Sequence, residues 1–322
     1  MTSHRVSRTV LAALSVVAVA ACGPTDNLEP SPERIAPSFA AAGGSGSTGD
    51  AIASVMDQVN LGLEMQGADY RVAMAEYITV ADANEAGATI VARDLGNKQL
   101  TADFVPGDAR RTWSGPPAAG SDDITYAIDQ VDAATIGGGL SPAETNGAIQ
   151  RAMGTWDAMA CSDLPLQQTD DFGLDLGIVA FQNGLGGASP YIVADVMHAG
   201  FTDINFSGGT LGVTFTFIFT SDGQPTDVDG NGKADVAFRE IYYDPSWVWQ
   251  IGGNIDVESV AVHEAGHGLS QAHFGNIMVK NDGSVKASPR AVMNALYTGV
   301  QQGLLGTDNG GHCSNWANWP RH

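Results

Sequence analysis

The chain has 322 residues, enough for one large domain or two modest ones, and its 43% apolar content with Trp, Phe and Tyr all present excludes a disordered chain. Its 36 acidic residues against 15 basic ones give a formal net charge of −21, a surface that repels phosphate backbones, so no nucleic acid is expected as a partner. Calcium or cationic partners suit that balance better.

Residues 1–21 place Arg5 and Arg8 ahead of an apolar run from Val10 to Ala21. That is the layout of a secretory signal, and it is too short to span a membrane comfortably. The run ends in Val19-Ala20-Ala21-Cys22, which resembles the lipobox of bacterial lipoproteins. The resemblance implies an acylated Cys22 at the mature N-terminus, a membrane partner through that lipid, and export to the cell envelope, at the outer membrane or cell surface. The other reading is a soluble secreted protein cut after an Ala-x-Ala site, which palmitate labelling indifferent to Cys22→Ala would mark. With Cys22 lipidated, Cys161 and Cys313 remain as an even pair in an oxidising compartment and are expected to be bridged. Residues 22–49 carry Pro24, Pro30, Pro32 and Pro37 and end in AAAGGSGSTG. This composition buries too little to fold and reads as a tether reaching about 30 Å.

From Asp50, Ile52, Val55, Met56 and Val59 recur at helical spacing behind a capping aspartate. Alternation at Tyr70, Val72 and Met74, then Thr89 to Arg93, then Leu100, Ala102 and Phe104 predicts strands, with a Gly96-Asn97 turn between the last two. Prolines and glycines in VPGDARRTWSGPPAAGSDD set a boundary near residue 120, so residues 50–120 form a small α/β segment, either a removable prosegment or a subdomain. Arg110-Arg111 is a candidate processing site or two solvated charges.

Residues 121–322 begin with a strand at ITYAID and a helix at SPAETNGAIQRAMGTWDAM. Ser141 caps that helix, Pro142 takes its first turn, Glu144 closes a capping box, and Ile149, Ala152, Met153 and Trp156 form its apolar face. GTLGVTFTFIFT, residues 209–220, alternates β-branched and aromatic residues as a strand does. DVDGNGKAD places Asp227, Asp229, Asn231 and Asp235 at positions one, three, five and nine of an EF-hand-like loop with Gly232 at the sixth, so calcium is a candidate cofactor there. Position twelve is Phe238 instead of a bidentate glutamate, and an ion-free acidic turn is the other reading.

HEAGHGLSQAH, residues 263–273, gathers three of the chain's 7 histidines. A helix opened by Asp256 stacks His263 and His267 one turn apart, where two neutral imidazoles can grip one metal. Glu264 projects beside them, placed to accept a proton from a water without being a ligand. His273 reaches the same ion only if the chain leaves the helix and doubles back. Three imidazoles with an open position suit catalytic zinc, whereas structural zinc favours cysteine.

These residues resemble the signature of the metzincin zinc endopeptidases, H-E-x-x-H-x-x-G-x-x-H with a methionine turn, at His263, Glu264, His267 and His273. The closest similarity is to the matrixin-like group, and it covers residues 121–322. It implies an α+β fold in which a small α/β N-terminal segment precedes a twisted mixed sheet carrying an active-site helix and a backing helix. Met293 would be an apolar support under the metal, and Tyr297 a wall of the substrate pocket. The implied activity is hydrolysis of peptide bonds in extracytoplasmic proteins by a zinc-activated water, with Glu264 as general base. Three departures stand out. Ser270 replaces the glycine of a left-handed turn, costing about 1 kcal/mol unless the turn is shaped differently. His198 in VADVMHAGF lacks a second histidine in DVAFREIYYD and reads as structural. The segment 50–120 has no cysteine to occupy the zinc, so a cysteine switch cannot operate in that form. Two rival readings are a non-catalytic zinc lipoprotein acting in binding or adhesion, and a hydrolase with a glutamate as third ligand.

Overall fold

The β-branched and aromatic runs of this chain are apolar enough to be buried on both faces, and in the computed structural model they build one mixed sheet between two layers of helix. The structure describes residues 47–92, 95, 102–113, 121–131, 139–281 and 285–321. The signal segment, Cys22, the tether up to residue 46, Leu100 and the Gly96-Asn97 turn lie outside them. All described residues fall within one unit, Glu33–His322.

Helix α1 (Thr48–Met65) is followed by β1 (Tyr70–Val80), β2 (Thr89–Val91) and β3 (Ala102–Asp103). Next come β4 (Ile124–Ile128), α2 (Pro142–Asp157), β5 (Leu166–Gln168), α3 (Ile178–Gln182) and β6 (Val196–His198). β7 (Thr210–Ser221), β8 (Gln224–Pro225), β9 (Ala234–Tyr243) and α4 (Val257–Gly268) lead to the hairpin β10 (Asn276–Val279) and β11 (Val285–Ser288), then β12 (Leu296–Tyr297) and α5 (Gly306–Trp316).

The sheet runs β12-β1-β7-β9-β6-β4-β5, with β2 beside β1, β3 beside β9 and β8 beside β7. β5, β4, β6 and β9 are mutually parallel. β7 is antiparallel to both β9 and β1, and β1 is parallel to β12. On one side, α1 and α3 cover Val72, Phe215, Phe217 and Phe238. On the other, α2 and α4 cover Ile128, Leu211, Ile241 and Tyr243. The fold is thus mixed α/β, with a mixed sheet.

Several local expectations shift. The first helix is capped by Ser47, whose Oγ accepts from the Asp50 amide, so it starts ahead of the aspartate. Ser141 and Glu144 close the capping box of α2. Helix α4 is capped by Asp256 and is buried at all twelve positions, with no solvent face. No boundary divides the sheet near residue 120, because β1 from the N-terminal segment lies between β7 and β12. The Arg110-Arg111 pair is neither an open processing site nor solvated charge. Arg111 is 2% exposed and bridges buried Asp195 at 3.0 Å, while Arg110 bonds Asp108 and Asp235. A disulfide joins Cys161 to Cys313.

Candidate metal centre

Helix α4 sets His263 and His267 one turn apart, and the chain reverses just beyond it. The Ser270 amide donates to His267 O and the Gln271 amide to Gly266 O, the pair of bonds that closes a helix through a left-handed residue. That residue is Ser270, at φ 63°. The turn therefore keeps the left-handed shape glycine favours, and the serine is held there by Arg239. This buried guanidinium of β9 donates to Ser270 Oγ at 3.0 Å, to Gly268 O at 2.9 Å and to Thr216 Oγ1 at 3.1 Å. A cation over the last carbonyls also suits the helix dipole. Burial pulls the Arg239 pKa down to about 10, against the opposing pull of Asp103 and Glu76.

The reversal brings His273 back to the helix. Nε2 of His267 lies 3.0 Å from Nε2 of His263 and 3.2 Å from Nε2 of His273. Nδ1 of His263 donates to Val292 O and Nδ1 of His267 to Gln271 O, each at 2.7 Å. In the neutral form that a metal ligand must take, each of these imidazoles has its one N–H on Nδ1, so both Nε2 atoms present bare lone pairs to each other. Two acceptors so close repel unless a cation lies between them. Zinc–nitrogen bonds of about 2.0–2.1 Å in a tetrahedron put ligand nitrogens about 3.3 Å apart, and the two separations from His267 are close to that spacing. Burial, first, and the neighbouring imidazoles hold His263 and His273 well below the usual histidine range, which keeps them neutral as ligands must be.

Glu264 is fully buried. Its Oε2 accepts from Thr214 Oγ1 at 2.6 Å, while Oε1 has no partner among the described residues. Gly212 gives it room, since a Cβ there would lie 3.0 Å from Oε1. Burial raises the carboxyl to about 8, although His267 and the Thr214 bond pull it down.

The sequence reading did not single out Glu76. Its Oε2 lies 3.1 Å from His267 Nδ1, so a strand of the N-terminal segment touches a candidate ligand. Burial disfavours charge on both groups, yet their mutual attraction and hydrogen bond win, holding Glu76 low and raising His267. The signal was present in RVAMAEYITVAD, where Glu76 is the one charge between Arg71 and Asp82 in an apolar strand. Buried charges are rarely unpaired.

Met293 is 2% exposed and packs its Sδ against α4 at Gly266. Tyr297 Oη accepts from the Asp256 amide, and its ring lines a narrow cavity with His263, Val292 and Leu296. Asp308 of α5 accepts from the Val292 and Met293 amides and fixes that segment.

His198 stands apart from this cluster. It is fully buried, Nδ1 pairs with Tyr243 Oη at 2.9 Å, and burial lowers its pKa to about 3. Carboxylates of Asp227, Asp229 and Asp235 approach within 4.8 Å of one another. Their oxygens already accept bonds from the turn itself, Gly232 N to Asp227 and Asn231 N and Nδ2 to Asp229. Asp235 is buried and shared among Arg110, Thr226 and the Val228 amide. The Asn231 Oδ1 accepts from Lys233 N, and Phe238, at the twelfth position, is core.

No family model matches the chain, and no curated protein matches it.

Proposed function

We propose that the protein is a zinc endopeptidase, similar to the metzincins and nearest the matrixin-like group, acting on extracytoplasmic proteins. The observation that carries this reading is the convergence of three imidazole Nε2 atoms, with a buried carboxylate next in sequence that has one unpartnered oxygen. His263, His267 and His273 would hold the ion. When bound, zinc supplies a Lewis acid that polarises a carbonyl and lowers the pKa of water towards about 7.

The rest is the work of this chain's residues. Val292 O and Gln271 O fix the imidazole tautomers and ring planes. Thr214 holds one oxygen of Glu264 and leaves the other free to take a proton from a water, the role of a general base. Once protonated, the same carboxyl is the group that can pass that proton to the leaving amine.

Glu264→Gln should keep one zinc per chain by atomic absorption and lose peptide-library hydrolysis by about 10²-fold or more. Full activity in that variant ends the mechanism. The comparison is made in the native chain and on an Ile78→Asp background, because Glu76 of β1 touches His267 and Ile78 shares a cavity with His263.

Calcium at the Asp227, Asp229, Asn231 and Asp235 loop is proposed from carboxylate convergence alone. Millimolar calcium should raise the melting temperature over that in chelator, and equal values count against it. Envelope placement through a lipidated Cys22 is proposed on residues 1–22 of the sequence.

A further inference from the structure

Strands β5, β4, β6, β9 and β7 all come from the stretch between residues 124 and 243, and in that set β7 is the last strand on its side. β1 arrives from far upstream and fills the space between β7 and β12. It runs antiparallel to β7 from Tyr70 opposite Phe219 to Thr79 opposite Thr210, and parallel to β12 at Thr79–Leu296 and Val80–Tyr297.

Side chains alternate along a strand, so Glu76 and Ile78 share the face towards α4 and Tyr77 takes the other. Glu76 meets His267 at 3.1 Å. Ile78 closes the cavity lined by His263, Val292, Leu296 and Tyr297, leaving ≈ 20 Å³ free, about the room of one water. The backbone between these two side chains therefore runs from the contact with His267 to the cavity beside His263. Main-chain pairing at a sheet edge, with alternate side chains seated in pockets, is how proteins hold extended polypeptides.

We infer that β1 is a built-in occupant of the polypeptide groove: the chain lays its own strand across the three-histidine centre, Ile78 in the pocket and Glu76 on His267, and an added polypeptide must displace it. The inference rests on the peptidase reading and supplies its regulation. α1, β1 and β2 are contiguous in sequence, so they can part together from β7 and β12 while the β7-β9-β6-β4-β5 order stays whole. Opening is not free. Val72, Ala73 and Tyr77 pack with α1 residues in the same cluster as Phe215 and Phe217, so the intact chain opens rarely.

The test uses the full-length, zinc-loaded chain. Hydrogen exchange of the unmutated protein should give β1 and α1 amides that exchange at least tenfold faster than those of β9 and α4. Exchange of β1 at the rate of β9 would make it a permanent strand and overturn the inference. Fluorescence anisotropy then compares binding of a labelled extended peptide carrying an aliphatic side chain and a hydroxamate. Ile78→Asp and Glu76→Gln, which loosen the strand, should tighten its Kd by tenfold or more relative to the unmutated chain, and an equal Kd in zinc-loaded, folded variants also overturns it. Exchange needs no zinc, so a chain that binds none refutes the peptidase reading while the exchange rates still decide the fate of β1.

Discussion

Gly266 lies mid-helix, where glycine costs about 1 kcal/mol relative to alanine. Its surroundings reverse that preference. A Cβ on Gly266 would stand 2.3 Å from Met293 Sδ and 2.9 Å from Trp156 Cζ2, and both of those side chains are nearly fully buried. Overpacking of that kind costs about 1–3 kcal/mol, more than alanine's helix preference returns. Gly266→Ala should therefore lower the guanidinium midpoint, and adding Met293→Ala, which opens space where the methyl sits, should make the pair more stable than the sum of the two changes. A midpoint that rises in the single variant would refute the close-packing account. Ser270 reads the same way at single-residue scale. Its left-handed backbone costs about 1 kcal/mol, and the Arg239 bond to its Oγ offsets that cost.

At the scale of elements, β9 is joined to α3 through Glu240. Its carboxylate accepts from the Ile178 and Val179 amides and from Tyr242 Oη, all buried. Burial raises the Glu240 carboxyl from 4.5 to about 7 despite those bonds. The folded state thus holds the proton more tightly than the unfolded one. Stability from this group is full below pH 4.5 and is lost as pH rises to 7, by up to about 3 kcal/mol. The unfolding free energy across that range should fall less steeply with rising pH in Glu240→Gln than in the native chain, and parallel profiles would remove the claim. Elements with a local signal were legible in the sequence: α2 through its capping box, β7 through alternation, α4 through Asp256 and the histidine spacing. β9 was not, because a strand buried on both faces at all ten positions has no alternation to read. Nor was α5, whose GTDNGGHCSNW carries two internal glycines and little periodicity. Its order comes from tertiary bonds: Trp316 Nε1 to Leu269 O, Asn315 Nδ2 to Ser270 O, and Asp308 to the Met293 segment. The insertion of β1 between β7 and β12 is a pairing of distant segments, and the Pro/Gly-rich stretch before residue 120 gave no hint of it.

For the molecule as a whole, those α5 bonds mean that one C-terminal helix braces both the reversal leading to His273 and the segment carrying Met293. The helix is itself fastened by the Cys161–Cys313 disulfide, which ties it to the chain just beyond α2 across 152 residues of sequence. Closing a loop of that length restricts the unfolded chain by about 5 kcal/mol on the entropic account, with typical measured values of about 2–4 kcal/mol. His312, beside Cys313, adds a hydrogen bond with Ser162 and a stacked contact with Trp156 of α2, so the two ends stay in contact without the sulfur bridge. Cys161→Ser with Cys313→Ser should thus leave the fold intact but lower unfolding free energy by about 2–4 kcal/mol, measured by guanidinium titration. Because α5 holds the turn beyond α4, the same variant should also release zinc to a competing chelator faster than the bridged protein does. A variant that loses stability yet holds zinc as firmly as before would mean that the turn is set by Arg239 and α4 alone, with no contribution from α5.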